Sequence, residues 1–482
     1  MSMPVISSKD FLAEWSYGLE SDFECDGTPA SWMSGQPVVW GSEAGKLEFD
    51  DVVRAASVSA DEEFLAVATG KDVYIYGLGN LEMKQILKGH TQSVGHVEFC
   101  PLGNGGDGYM LVSASKSNGG LDAMIVIWML DRNGMSRNEP AESVDVQGLA
   151  ERATEAAMQE LMLNHKWMKE EAELDKLLEG VREVVWRATA SHSIKDNIVL
   201  CGELAGFGSR SFSDDGKLLV FIAENHNRQR APLAPEIVVW DTVRMEQRFL
   251  LKGHTDSVMW TGVSPDGTTV ASVCWDQTVK LWDSSTGYLK HDIGPSGGQN
   301  WTAEFSPDSK FIAFCRGSPD TVVYIHSMSD GSRISKMKAS SGWVRSLAWS
   351  PQGQHLAAGG QSGVVYIWNP HTGVQEQKWQ LRRGERYFCG FMEIGSVQWL
   401  DSEGKMLAFK GSEGGVNVYD IVRNQKWRSD PKKGDLTKGL CGTHSLYYVR
   451  RTRQLVSVDA DQKVRFWAVN LRSGDNLSRQ NV

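Results

Sequence analysis

The stretch LKGHTDSVMWTGVSPDGTTVASVCWDQTVKLWD, Leu251 to Asp283, decides the fold. It holds three runs of alternating apolar residues, Val258 to Val263, Thr269 to Val273 and Thr278 to Trp282, separated by Pro265-Asp266-Gly267 and Trp275-Asp276-Gln277. Turns this short make the strands lie antiparallel side by side, and Tyr288 to Ile293, after Ser285-Thr286-Gly287, supplies a fourth.

Polar residues account for the stability of so small a unit. Asp276 sits in the second turn, with Ser272 four residues before it and Trp282 six after, on neighbouring strands. His254, folded back over the sheet edge, can bridge Ser272 and Asp276 while the Trp282 indole caps the chain of bonds. Each bond contributes about 1 kcal/mol, more where the carboxylate takes part. A hydrolase would use the same residue types, but Ser272 is a mid-strand residue and a nucleophile needs an exposed elbow.

Gly253-His254, Ser264-Pro265-Asp266-Gly267 and Trp282-Asp283 at this spacing resemble the WD-repeat family. The resemblance implies four-stranded blades closed into a β-propeller that binds protein partners without catalysis. Recurrence supports it. Third strands end at Tyr76, Trp128, Trp240, Trp282, His326, Trp368, Tyr419 and Trp467, in steps of 42 to 52 residues apart from one of 112. The expectation is an all-β chain of eight blades, with seven as the alternative if the seventh or eighth unit proves to be something else.

The last unit has three strands, so its missing fourth is expected from the other end of the chain, within residues 37–49. The expected domains are an N-terminal arm at 1–36, a propeller at 37–470, a helical insertion at 137–195 and a polar tail at 471–482. The insertion follows from Glu142 to Trp186, rich in Ala, Glu, Leu and Lys, without Gly or Pro from Leu149 to Glu179. It lies across its own ring or docks a partner, and Ile198 to Leu204 then serves as the displaced fourth strand of blade two. The arm allows the same two readings, and the loop Glu224 to Pro235, with Arg228 and Arg230, reads as a solvated flexible turn or a local basic contact.

The net charge of −10 argues against nucleic acid and raises the expectation of a basic partner. Seven scattered cysteines without a C-x-x-C pair read as reduced thiols, and the chain lacks the run of about eighteen apolar residues that spans a membrane. Cytoplasm or nucleus is the expected location. No metal pair, phosphate loop, dinucleotide fingerprint or nucleophile elbow occurs in the sequence, so no catalytic, metal or cofactor-binding residue is assigned.

Function is expected where first strands begin, around the channel mouth. Alignment on the Ser-Pro-Asp-Gly turns makes Arg54, Met259, Trp301 and Arg345 equivalent, with Ser257, Gln299 and Trp343 two residues earlier and Trp275 beside the turn aspartate. Units two, three and seven carry Gly95, Gly208 and Ser396 there. Trp, Arg and Met dominate interface energetics, so a solvent-facing partner-binding rim is one reading, and aromatics plugging the channel or packing between blades is the other. An enzyme or small-molecule site at the channel mouth is the alternative function; it needs ionisable groups converging there.

Overall fold

The computed structural model describes residues 24–25, 28–32, 43–101, 108–115, 123–136, 197–223, 234–317, 320–339, 343–360, 363–380, 394–411, 415–429, 446–459 and 461–469. All regular structure among them is β. The expected helical insertion, the loop with Arg228 and Arg230, and the polar tail lie outside the described residues.

The quoted stretch forms an antiparallel sheet of Val258–Val263, Thr269–Cys274, Val279–Asp283 and Leu289–Ile293 in chain order. Its first turn is built by Ser264, whose hydroxyl donates to Asp266 at 2.6 Å and accepts from the Thr269 amide at 3.0 Å, while Gly267 takes a φ of 72°. Ser59, Ser213 and Ser306 repeat the motif with Asp61, Asp215 and Asp308, each at 2.7 Å. The same local chemistry therefore starts the same hairpin in four places.

Three more sheets share this four-strand meander: Val53–Val58 through Met83–Leu87, Asn300–Phe305 through Arg333–Lys338, and Val344–Trp349 through Gln375–Gln380. A fifth, Ile394–Trp399 through Gln425–Ser429, gains Ser31–Trp32 as a parallel outer strand. That piece of the N-terminal segment packs on the sheets, and Ala30 is buried beside Trp379 and Tyr419. Seven strands from Val94–Phe99 to Glu246–Leu251 form one continuous sheet. In it Ile198–Glu203 pairs with Met124–Leu130 on one side and, at Gly202 and Glu203, with Leu218–Ala223 on the other.

Leu446–Val449, Gln454–Asp459 and Lys463–Ala468 take Glu43–Glu48 as their fourth strand, with Leu47 opposite Val464. The pairing joins the two ends of the chain. First strands pack one on the next, Val53–Val58 on Val94–Phe99 and Val258–Val263 on Asn300–Phe305, and Gln454–Asp459 returns to Val53–Val58. Hydrogen bonds tie these neighbours: Ser57 accepts from the Phe99 amide at 2.9 Å, Ser346 from Val397 at 3.2 Å, and the Trp399 indole donates to the Ala348 carbonyl at 3.0 Å.

Candidate functional site

The polar set of the quoted stretch is in place. His254 Nδ1 lies 2.7 Å from Asp276, its Nε2 2.8 Å from the Ser272 hydroxyl, and the Trp282 indole donates to the same hydroxyl at 3.1 Å. Burial raises the Asp276 carboxyl, but bonds from His254 and Thr278 outweigh it and hold the group well below the usual carboxylate range. His90, Ser113 and Trp128 repeat the chain at 2.6 and 2.7 Å; Asp122 is outside the described residues.

Ligand atoms of His254, Cys274 and Asp276 fall within 4.8 Å of one another, close enough to suggest a metal. Their chemistry favours hydrogen bonding instead. Both imidazole nitrogens already have partners, and burial pushes the Cys274 thiol up to about 12, keeping it from the thiolate a metal needs. The described cysteines Cys100, Cys201, Cys274 and Cys315 are free thiols, three of them buried.

The last unit departs from the pattern. Ser457 accepts from the Trp467 indole at 2.9 Å, but Asp461 turns to the buried Arg465 instead of a histidine. Arg465 also meets Asp459 at 2.6 Å and Glu43 at 3.5 Å, and Lys410 reaches Asp459 at 2.7 Å. Thus Glu43 carries the incoming N-terminal strand into a buried charge network.

Of the rim residues, Trp275, Trp301, Trp343, Met259 and Arg345 come together. Trp301 stacks on Trp343 at 4.6 Å and meets the edge of Trp275 at 5.0 Å. The Arg345 guanidinium lies 4.9 Å from Trp343 and 5.3 Å from Trp301, and Met259 packs against the same cluster. Two indole donors, Trp275 Nε1 and Trp301 Nε1, are buried without a hydrogen-bond partner. Ser257 and Gln299 are exposed and touch the cluster through backbone, Ser257 accepting from the Trp275 amide and Gln299 from Gly317. Arg54 is exposed on the first sheet, apart from the cluster.

Trp301 is only 7% exposed, because its neighbours cover it. One of them was not foreseen. Phe207 meets Trp301 edge-on at 5.3 Å and lies 5.4 Å from the Arg345 guanidinium. Alignment placed Gly208 on a first strand; instead residues 204–210 form no strand and reach over to the sheet of Asn300–Phe305. There Thr302 donates to the Phe207 carbonyl at 2.8 Å and Arg210 meets Glu304 at 3.1 Å. The signal in the sequence was Gly206-Phe207-Gly208, an aromatic between two glycines directly after a strand.

Ionisable pairs do occur along the first strands, Arg210 with Glu304 and His96 with Glu98 at 3.3 Å. Each carboxylate also anchors the irregular segment after Glu203: Glu98 accepts from the Ser211 amide at 3.1 Å, and Glu304 is bound by Arg210. Burial pushes the Glu304 carboxyl up against the pull of Arg210.

Comparison with known proteins matches residues 245–283 and 331–369 to the family described as WD domain, G-beta repeat. The chain is 26% identical over 217 residues to WD repeat-containing protein SL1-17 of Schistosoma mansoni, covering 41% of this chain and 64% of the relative. It is 32% identical over 127 residues to the Ribosome biogenesis protein WDR12 homolog of Nematostella vectensis, covering 25% and 29%. With the Small ribosomal subunit protein RACK1y of Oryza sativa subsp. japonica it shares 31% over 152 residues, covering 28% and 44%. The matches thus span less than two thirds of each of these relatives.

Proposed function

We propose that this chain, which belongs to the WD-repeat family, is a non-catalytic scaffold that binds protein partners within a larger assembly. Its ring counts eight blades, the seven-stranded sheet comprising two, and Glu43–Glu48 closes it. The working surface is the cluster of Trp275, Trp301, Trp343 and Arg345 with Met259, flanked by Ser257 and Gln299. The insertion at 137–195 is a second contact. Cytoplasm or nucleus is the place of action; among the described residues no helix is long and apolar enough to cross a membrane.

The single observation that carries this reading is the cation held against indoles from neighbouring sheets at one end of the strands. Trp and Arg are the residues most often found to dominate binding energy, and a rigid arginine gains more from a partner than a mobile one. Two relatives carry ribosomal names, which agrees with work inside an assembly.

A catalytic or small-molecule site at the channel mouth finds support in the Arg210–Glu304 and His96–Glu98 pairs. Both carboxylates are engaged in anchoring the segment that carries Arg210 and Ser211, which favours the scaffold reading.

Affinity capture with the intact chain tests it, beside a Trp343→Ala/Arg345→Ala variant and a deletion of residues 148–180. Trp301 is left alone because its burial makes any loss there ambiguous. A folded double variant that drops a specific partner is the expected result. Retention of every partner by that variant contradicts the site.

A further inference from the structure

We propose that Phe207 is an internal occupant of the anchor site, and that an aromatic side chain of the partner takes its place on Trp301 beneath Arg345. This rests on the reading of the cluster as the partner-binding surface.

The segment that carries Phe207 is built differently from its neighbours. Between Glu203 and Leu218 the third unit has no strand, only an isolated bridge from Phe212 to Leu219. Phe207 has a φ of 55° and Gly208 one of 78°. A bulky L-residue in the left-handed region is disfavoured by roughly 1–2 kcal/mol, so the ring is held where it is against the preference of its own backbone. The backbone on either side of it is open: a Cβ on Gly206 or Gly208 would meet nothing within 4 Å. The segment is tethered by Thr302 donating to the Phe207 carbonyl at 2.8 Å, Ser209 accepting from the Thr261 amide at 3.2 Å and Arg210 meeting Glu304. None of these bonds holds the Phe207 ring, which can turn about its Cα–Cβ bond while they stay.

The vacated niche specifies its ligand. Its floor is Trp301, at 85° to the ring it now holds, and its roof is the Arg345 guanidinium. A cation over a niche of this width favours a π face, repels a lysine or arginine, and gives an aliphatic side chain only area. An aromatic anchor therefore fits better than the basic one suggested by the net charge.

The test titrates N-acetyl-phenylalaninamide, N-acetyl-leucinamide and N-acetyl-lysinamide into the intact chain and into Phe207→Ala, read by tryptophan fluorescence and heat. The expected result is saturable binding of the phenylalanine amide to the variant, at least about tenfold tighter than to the unaltered chain, with the lysine amide weakest. Equal binding by both chains, or preference for the lysine amide, overturns the inference. Should Phe207→Ala fail to fold, hydrogen exchange on the unaltered chain decides. Amides at 204–210 that open locally, without the strands Val258–Val263 and Asn300–Phe305, support it; exchange only with those strands overturns it. The two proposals fail separately. If Trp343→Ala/Arg345→Ala keeps its partner, the site itself is wrong; if it loses the partner while Phe207→Ala also binds it more weakly, only the internal-occupant idea falls.

Discussion

Trp301 stacks on Trp343 at 4.6 Å with their planes inclined by 27°, although the two stand 42 positions apart and belong to neighbouring sheets. Trp343 stands two residues before Arg345, the repeat equivalent of Trp301, so the repeat brings these staggered positions to the same end of adjacent sheets. Repetition in the sequence thus becomes an aromatic surface in space.

The stack has little slack. A Cβ on Gly317 would sit 2.8 Å from Trp343 and 3.0 Å from Trp301 Nε1. Gly317→Ala is expected to push the indoles apart, reducing the coupled-tryptophan circular dichroism signal and weakening partner binding about tenfold, for a stability loss of about 1–3 kcal/mol. An unchanged signal and affinity would show that the stack has room to give.

His254 and Asp276 act as one unit. In a double-mutant cycle with His254→Ala and Asp276→Ala, the stabilities read by denaturant unfolding are expected to show a coupling of about 1–3 kcal/mol. Additive losses would mean that the two contribute independently despite their 2.7 Å contact.

Burial of His90 makes stability depend on pH. Its imidazole is pushed down from 6.5 to about 4 because the charged form loses its water. The unfolded chain binds the proton more readily, so the contribution is complete above pH 6.5 and is lost as pH falls toward 4, by about 3 kcal/mol in all. Unfolding midpoints across that window should decline with acid, and His90→Asn should flatten the slope. The same slope in the variant would assign it to another group.

Closure of the chain ends depends on charge balance around Arg465. Removing the guanidinium in Arg465→Ala leaves Asp459 and Asp461 short of a partner in the interior and is expected to cost about 3–5 kcal/mol. Glu43→Gln should cost less, about 1–3 kcal/mol, since Arg465 keeps both aspartates. Thermal unfolding ranks the two; the reverse order would make Glu43 the keystone of the network.

Much of this was legible from residue chemistry. The His254, Ser272, Asp276 and Trp282 geometry could be read because the two nitrogens of one imidazole can join a hydroxyl to a carboxylate and the turns fix their relative places. The convergence of Trp275, Trp301, Trp343 and Arg345 followed from register, since alternation fixes which residues of successive strands share an end. Two features were hidden for physical reasons. Phe207 belongs to a segment that abandons the strand, and no periodicity predicts where irregular backbone carries a ring. The Arg465 network unites Glu43 with Asp459 and Asp461 from the far end of the chain, a pairing that local spacing cannot reveal. Trp301 showed the limit of residue type: a tryptophan suited to an interface is equally suited to being covered by its neighbours.

The most direct test of the partner surface is site-specific photo-crosslinking in cells. A benzophenone side chain placed at position 299, exposed beside the cluster, is compared with one at position 330, in an exposed turn at the opposite end of the same sheet. The expected result is a discrete crosslinked partner from position 299, lost when Arg345→Ala is added, and none of it from position 330. The same partner captured from 330 and not from 299 would contradict this surface and move function to the other end of the sheets.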